Sequence, residues 1–344
     1  MKAAVISLTE GGRRLSQRIA NVLGEASDRF CYAPHTDVQA QTFTSLHALV
    51  GGLFREYDAL VFVCACGIAV RMCAPFLQDK RTDPAVLVLD EAGRFVIPVL
   101  SGHLGGANAL SLRLADALGA QACLTTATDT RGLLSPDCFA AANHLHIGSM
   151  HACKAVASAL LDGEPVGLVS RCPVQHIPAG LREGDTSCRV GICITDDPQE
   201  APFPVTLTLT VQDIVLGIGC RRGIPQAVIE ARVQDFLTRH ALAPERVRAA
   251  ASIDVKAQEP GLLAFCRAHA LALHTYSAKA LMAVPGEFSA SPFVERTVGA
   301  DNVCERSAVL CSEGVLLYPK EAAQGVTVAA AQCHLTIDFD RRMP

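Results

Sequence analysis

Apolar positions follow two alternating rhythms along the chain. Ala3–Leu8 is a near-continuous apolar run of strand length. A Gly-Gly turn leads from it to a segment in which Leu15, Ile19, Val22 and Leu23 recur at helical spacing, with Arg14, Gln17 and Arg18 on another face. Ala59–Val63 predicts a buried strand. Ala85–Leu100, AVLVLDEAGRFVIPVL, is two β-rich runs around Asp-Glu-Ala-Gly and predicts a hairpin. Val99–Ala120, VLSGHLGGANALSLRLADALGA, predicts a strand, a glycine-rich turn and a helix. That helix places Leu110, Leu114, Ala117 and Leu118 on one face and ends at Gly119. ACLTTATD predicts the next strand.

The rhythm changes over residues 134–213. A helix at Met150–Leu161 precedes short strands, VGLVS and RVGICIT, and the Pro- and acid-rich Thr195–Val205 predicts a linker. A fresh strand–turn–helix unit then begins, DIVLGIGCRRGIPQAVIEARVQDFL. Its strand ends at Gly219, its turn carries Arg221 and Arg222, and Pro225 sits at the helix start. Ile229, Val233, Phe236 and Leu237 form the buried face. AAASIDV is a further strand, a helix follows EPG, and Ser277 and Ser291 are positioned as helix caps. The tail from Ala308 reads as strands. The whole predicts an α/β protein in three parts. These are a mixed-sheet N-terminal domain (1–133), a smaller middle domain and linker (134–213), and a separate α/β C-terminal domain (214–344).

Composition narrows the function classes. The 344 residues are 50% hydrophobic with a net charge of -4, and no basic block suggests nucleic acid. No apolar run reaches the ~20 residues of a membrane span. The 15 cysteines are scattered through apolar runs such as VFVCACGIAV, which suits reduced thiols in the cytoplasm rather than a disulfide scaffold. The start, MKAAVISLTEGG, has no secretory hydrophobic core.

Candidate chemistry gathers at glycine turns. SGHLGGAN lacks the Lys and Ser/Thr of a phosphate loop, and Gly102, Gly105 and Gly106 miss dinucleotide spacing. Two readings stay open there: a tight turn with a satisfied histidine, or an anion-friendly helix start with His103 as acid or base and Asn108 beside it. TTATDTRG supplies Thr128, Asp129 and Arg131; Asp129 either orients His103, acts as a base, or caps a turn. In CACGIAVRMCAPFLQDKRTDP the cysteines lack zinc spacing, so no metal site is expected. Arg71, Lys80 and Arg81 there suit a carboxylate-rich ligand or a solvated loop. GIGCRRG has no acidic residue about 20 positions on, as a nucleotide turn would need. Arg221 and Arg222 suggest carboxylates instead, with Lys256 and Glu259 at the next strand–helix junction.

The ordered set of strings is more specific than any one of them. GIAVRMCAPFLQDKRTDPAVLVLDEAGRFVIPVLSGHLGGANAL with TTATD, then GIGCRRGIP, SIDVKAQEPGL, TYSAKAL and SPFVERTVG, resemble the cobalt-precorrin-5A hydrolase family of anaerobic cobalamin biosynthesis. The likeness is strongest over residues 60–132 and 214–330. The C-terminal part also resembles a small stand-alone protein of the aerobic pathway. The resemblance implies an enzyme that opens a δ-lactone on a cobalt-containing tetrapyrrole and releases acetaldehyde to give cobalt-precorrin-5B. It implies no cofactor of the protein's own, since the substrate carries the cobalt. It supports His103 and Asp129 as site positions, and the chemistry expected there makes His103 the leading acid/base, with Asp129 orienting it or sharing the proton work. Backbone N–H groups at Gly105 and Gly106 would hold a carboxylate or oxyanion. Arg71, Lys80, Asn108, Thr128, Arg221, Arg222, Lys256 and Glu259 would line the substrate. Neighbouring enzymes of the pathway are candidate partners. The alternative is a non-catalytic corrinoid-binding or channelling protein.

Overall fold

The computed structural model describes residues 1–33, 39–79, 82–103, 105–126 and 131–341. They pack as two compact units, one ending at Ala142 and the other spanning Asn143–Asp340.

The first unit is built on a seven-stranded sheet. Its strands are β1 (Ala3–Ser7), β2 (Ser27–Tyr32), β3 (Gln41–Phe43), β4 (Ala59–Val63), β5 (Ala85–Leu89), β6 (Phe95–Leu100) and β7 (Gln121–Ala122), in spatial order β3-β2-β1-β4-β5-β6-β7. Helices α1 (Glu10–Leu23) and α4 (Ala107–Leu118) bury Leu15, Ile19, Leu110 and Leu114 against Val5, Val61 and Leu87. Helices α2 (Leu46–Leu53) and α3 (Cys66–Cys73) bury Val50, Leu53, Ala69 and Cys73 against Ile6, Leu60 and Phe62 on the other face. Both faces are covered, so the strands read as continuous apolar runs rather than as alternation. Truncating the fully buried Phe62 to Ala would cost about 3–5 kcal/mol.

One reversal positions the site. β5 and β6 are antiparallel, with Val86 opposite Leu100, and β7 runs parallel to β6. The carboxyl ends of β6 and β7 therefore lie at the edge where β1, β4 and β5 begin. The hairpin is held by Asp90, whose carboxylate accepts the N–H groups of Arg94 and Phe95 at 2.7 and 2.8 Å.

The second unit contains two five-stranded sheets and a strand pair. The first sheet joins β8 (Leu145–Ile147), β9 (Val166–Ser170), β11 (Leu181–Glu183), β12 (Val190–Thr195) and β13 (Val205–Val211). β10 (Val174–Gln175) pairs with β19 (Ile337–Asp338), so the chain's tail returns to the middle residues. The second sheet has the order β16-β15-β14-β18-β17, from β14 (Ile214–Cys220), β15 (Val247–Ile253), β16 (Ala272–Tyr276), β17 (Val315–Ala323) and β18 (Val326–Gln332). β14, β15 and β16 are parallel, and β18 is antiparallel to β14.

Several local expectations change. Thr195–Val205 is no linker: it joins the adjacent parallel strands β12 and β13 and buries Phe203. Of the described part of ACLTTATD only Ala122 lies in a strand, the two-residue edge strand β7, with Cys123 N–H adding one more bond to Val96 O of β6 at 2.9 Å; the end of the string lies outside the described residues. In α4, Ala115 is buried and Ala117 exposed, a shift of the buried stripe around the helix. Cys304–Ser312 is a helix, so the tail strands start later, at Val315. Ser277 caps its helix by accepting the Ala280 N–H at 3.2 Å, whereas Ser291 makes no such side-chain bond. Helix α5 (Pro136–Ala142) packs with the first unit, and the middle and C-terminal strands share the second. No helix among the described residues is long and apolar enough to cross a membrane.

Candidate functional site

His103 lies in the turn between β6 and α4. The turn is held by its own backbone: Gly106 N–H donates to His103 O at 2.8 Å, Ala107 N–H to Ser101 O at 3.2 Å, and Asn108 N–H to Gly102 O at 2.9 Å. Gly106 has φ +81, the left-handed region open to glycine. A side chain at Gly105 would come within 2.3 Å of Ser101 Cβ. These glycines are thus needed to close the turn. Of the two N–H groups expected to hold an oxyanion or a carboxylate, that of Gly106 is engaged within the turn by His103 O. Asn108 is buried and donates to Thr126 Oγ1 at 3.2 Å, tying the turn to the segment after β7.

Two residues not singled out in the sequence meet the imidazole. Asp137 Oδ2 lies 3.6 Å from His103 Nδ1, and Ser135 Oγ lies 3.4 Å from the same nitrogen. Ser135 also donates to Asp137 Oδ1 at 2.6 Å, and Cys138 N–H donates to that oxygen at 3.0 Å. Burial pushes the Asp137 carboxyl up, but contacts with His103 and Ser135 outweigh it and hold the pKa at about 2. An ionised carboxylate therefore stands beside Nδ1 throughout the neutral range. Such a partner orients an imidazole and favours its protonated form, which suits proton transfer. Because Ser135 and Asp137 address the same ring nitrogen, they do not form a relay with the histidine between them.

A second turn, in the other unit, follows β14. Arg221 and Arg222 are exposed, with no side-chain hydrogen-bond partner among the described residues. Lys256 and Glu259, expected to face substrate, instead pair with each other at 2.9 Å, with side chains 15% and 5% exposed. Glu259 also accepts the Gly223 N–H at 2.7 Å.

Residues 48–129 match the family model described as Cobalamin synthesis G N-terminal, and residues 214–331 match Cobalamin synthesis G C-terminus. The chain is 34% identical over 350 residues to a protein of Salmonella typhimurium named cobalt-precorrin-5A hydrolase, covering 96% of this chain and 97% of that one. The chain belongs to the cobalt-precorrin-5A hydrolase family. A Priestia megaterium protein of the same name is 28% identical, covering 95% of this chain and 94% of its own. Protein CobE of Sinorhizobium sp. is 31% identical over 121 residues, 34% of this chain and 79% of that protein.

In this family member the two matched segments take in His103 and Asn108, and then Arg221, Arg222, Lys256 and Glu259. Ser135 and Asp137 lie in neither. Their only local signal is Ser-Pro-Asp at the start of α5, a helix-start string, and tertiary packing alone brings it to His103. Lys80, Thr128 and Asp129 fall outside the described residues. Arg71 is exposed on α3, whose helix starts at the carboxyl end of β4, the opposite edge of the sheet from His103. Beside the turn is a cavity of about 710 Å³, with Gly105, Tyr57, Asp58 and Asp83 among its walls. All 15 cysteines are free. Burial pushes Cys64 to about 11 and Cys73 to about 12, so both are inert thiols. His103, Asp137 and Cys138 each bring a donor atom within 4.8 Å of the others, a set able to hold a divalent ion. His176, Asp338 and Asp340 make a more exposed set in the second unit.

Proposed function

We propose that this chain is a cobalt-precorrin-5A hydrolase. Water adds to the δ-lactone carbonyl, and the ring C–O bond breaks to leave a carboxylic acid and a hydroxyl. The hydroxyl then loses its proton as the adjacent C–C bond cleaves. Acetaldehyde departs, the bond's electron pair passes to the conjugated macrocycle, and cobalt-precorrin-5B results. The observation that carries this reading is likeness over nearly the whole length of two proteins bearing that name.

His103 takes the proton of the attacking water and serves again at the hydroxyl. The ionised Asp137 supports the imidazolium formed at each step, which is worth more beside a half-buried ring than in open water. Arg221 and Arg222 supply exposed cations for acetate and propionate groups, and a protein of net charge -4 needs such local cations; Arg71, at the sheet edge away from His103, is given no part in this reading. The reaction draws on no cofactor of the protein's own, because cobalt arrives with the substrate. The partners proposed are the enzymes that deliver cobalt-precorrin-5A and take up its product.

Incubating the purified chain with cobalt-precorrin-5A should release acetaldehyde, read by coupled oxidation of NADH with alcohol dehydrogenase. Tight binding of the tetrapyrrole with no acetaldehyde would replace this reading with that of a carrier.

A further inference from the structure

The Glu259–Pro260–Gly261 corner opens helix α8 (Pro260–Ala268; the helix Gln226–Arg239 is α7), and it touches the arginine turn at two points. Glu259 reaches across from the end of β15 to the turn after β14, where its carboxylate accepts Gly223 N–H at 2.7 Å. Gly223 has φ +74, so the turn passes through a backbone conformation that few residues adopt unaided. At Gly261 a Cβ would stand 2.0 Å from Ile224 O, so helix α8 sits directly on the turn's backbone. A third contact comes from the β17–β18 hairpin, where Arg221 N–H donates to Gly325 O at 2.9 Å. A Cβ on Gly325 would come within 3.0 Å of Arg221 Cδ, so the arginine's stem lies along the hairpin tip.

The charges divide accordingly. Lys256 Nζ donates to Glu259 at 2.9 Å, and both side chains are largely buried. The Lys256 bond, opposed by burial and helped by Gly223 N–H, holds the Glu259 carboxyl below its usual range. Lys256 thus neutralises a buried acid rather than meeting a ligand. The cations that face outward are Arg221 and Arg222. Val255, 64% exposed, follows the neighbouring strand β15 and adds apolar surface at the same sheet edge. Parallel strands of this kind bind ligands outside their carboxyl ends.

We propose that Glu259 is a positioning residue, which locks the Arg221–Arg222 turn into a preformed site for paired carboxylates on a flat macrocycle. This deepens the functional reading above and rests on it for the ligand class. Preforming the turn lowers the ordering cost of binding, and two guanidinium forks suit carboxylates.

The test uses the full chain and uroporphyrin I, a tetrapyrrole polycarboxylate, followed by fluorescence. R221A/R222A should weaken binding about tenfold or more and flatten its salt dependence. Glu259→Ala should weaken binding by a similar factor, about tenfold, yet keep the salt dependence, because both arginines remain. Hydrogen exchange of the peptide 220–225 should rise in Glu259→Ala without any ligand. Should Glu259→Ala fail to fold, Glu259→Gln keeps the volume and one acceptor, and should give a smaller rise, about threefold. Unchanged exchange and affinity in both Glu259 variants would overturn the positioning role. Raised exchange in the Glu259 variants together with unchanged binding in R221A/R222A would overturn the carboxylate site while leaving the clamp standing.

Discussion

The turns at His103 and at Arg221 look alike in the chain: each follows a strand, contains glycines and opens a helix. Each also has a largely buried carboxylate beside it, and the two differ in what else they hold. At His103 the backbone N–H groups close the turn from within, and Asp137 is left to address the imidazole. At Arg221 the acid itself takes a backbone N–H and pairs with Lys256, while Arg221 and Arg222 stay exposed. The first arrangement suits proton transfer at one atom, and the second suits recognition of several charges. Where an acid places its oxygens decides which.

Substitutions can break that contrast. His103→Ala should have the largest effect, lowering acetaldehyde release about 10²–10⁴-fold while uroporphyrin affinity holds. An equal rate would remove His103 from the chemistry. Asp137→Asn should come next, with kcat down about 10- to 100-fold and KM little changed, since it loosens the ring without removing it. Cys138→Ser sharpens this. If protons are the business of the cluster, its turnover and its response to a chelator match the parent chain. Parallel loss in Cys138→Ser and under chelator would instead place an ion among His103, Asp137 and Cys138.

At the other turn, R221A/R222A should raise KM for cobalt-precorrin-5A about tenfold with kcat held, as expected for loss of uniform binding. A fall in kcat alone would reverse the assignment of roles between the two turns. Stability against pH gives a smaller effect. Asp137 is held at about 2 in the folded chain against an ordinary 3.8. The unfolded chain then binds more protons in that interval, so its stabilisation is full above pH 4 and lost as pH falls towards 2. It amounts to about 2 kcal/mol, and Asp137→Asn should make an acid-unfolding curve shallower by that contribution while the other carboxylates held low keep theirs. The smallest effect is none at all: a reductant should leave Tm unmoved, because every cysteine is already a free thiol.

Local pattern was enough for most elements. Ala59–Val63, the Ala85–Leu100 hairpin, the helix at Met150–Leu161 and the buried face of α7 are where apolar spacing puts them. Strand and helix periods are properties of a few consecutive residues, and so they can be read from the chain. The family too is legible there, because its strings recur in order at both turns. Thr195–Val205 misled because Pro and acidic residues mark any sharp connection, whether it joins domains or adjacent strands.

Partnership between distant residues was not legible. Nothing within SGHLGGAN indicates Ser135 or Asp137, which lie more than 30 positions away and reach Nδ1 only through tertiary packing. Lys256 and Glu259 read as two ligand contacts, yet three positions on one turn set them face to face, and their attraction neutralises both. The chain by itself determined which residues can carry charge and protons, and which glycines must close a turn. Only the tertiary structure decided where each charge points, since a carboxylate's role depends on the donor it meets, and folding chooses that donor.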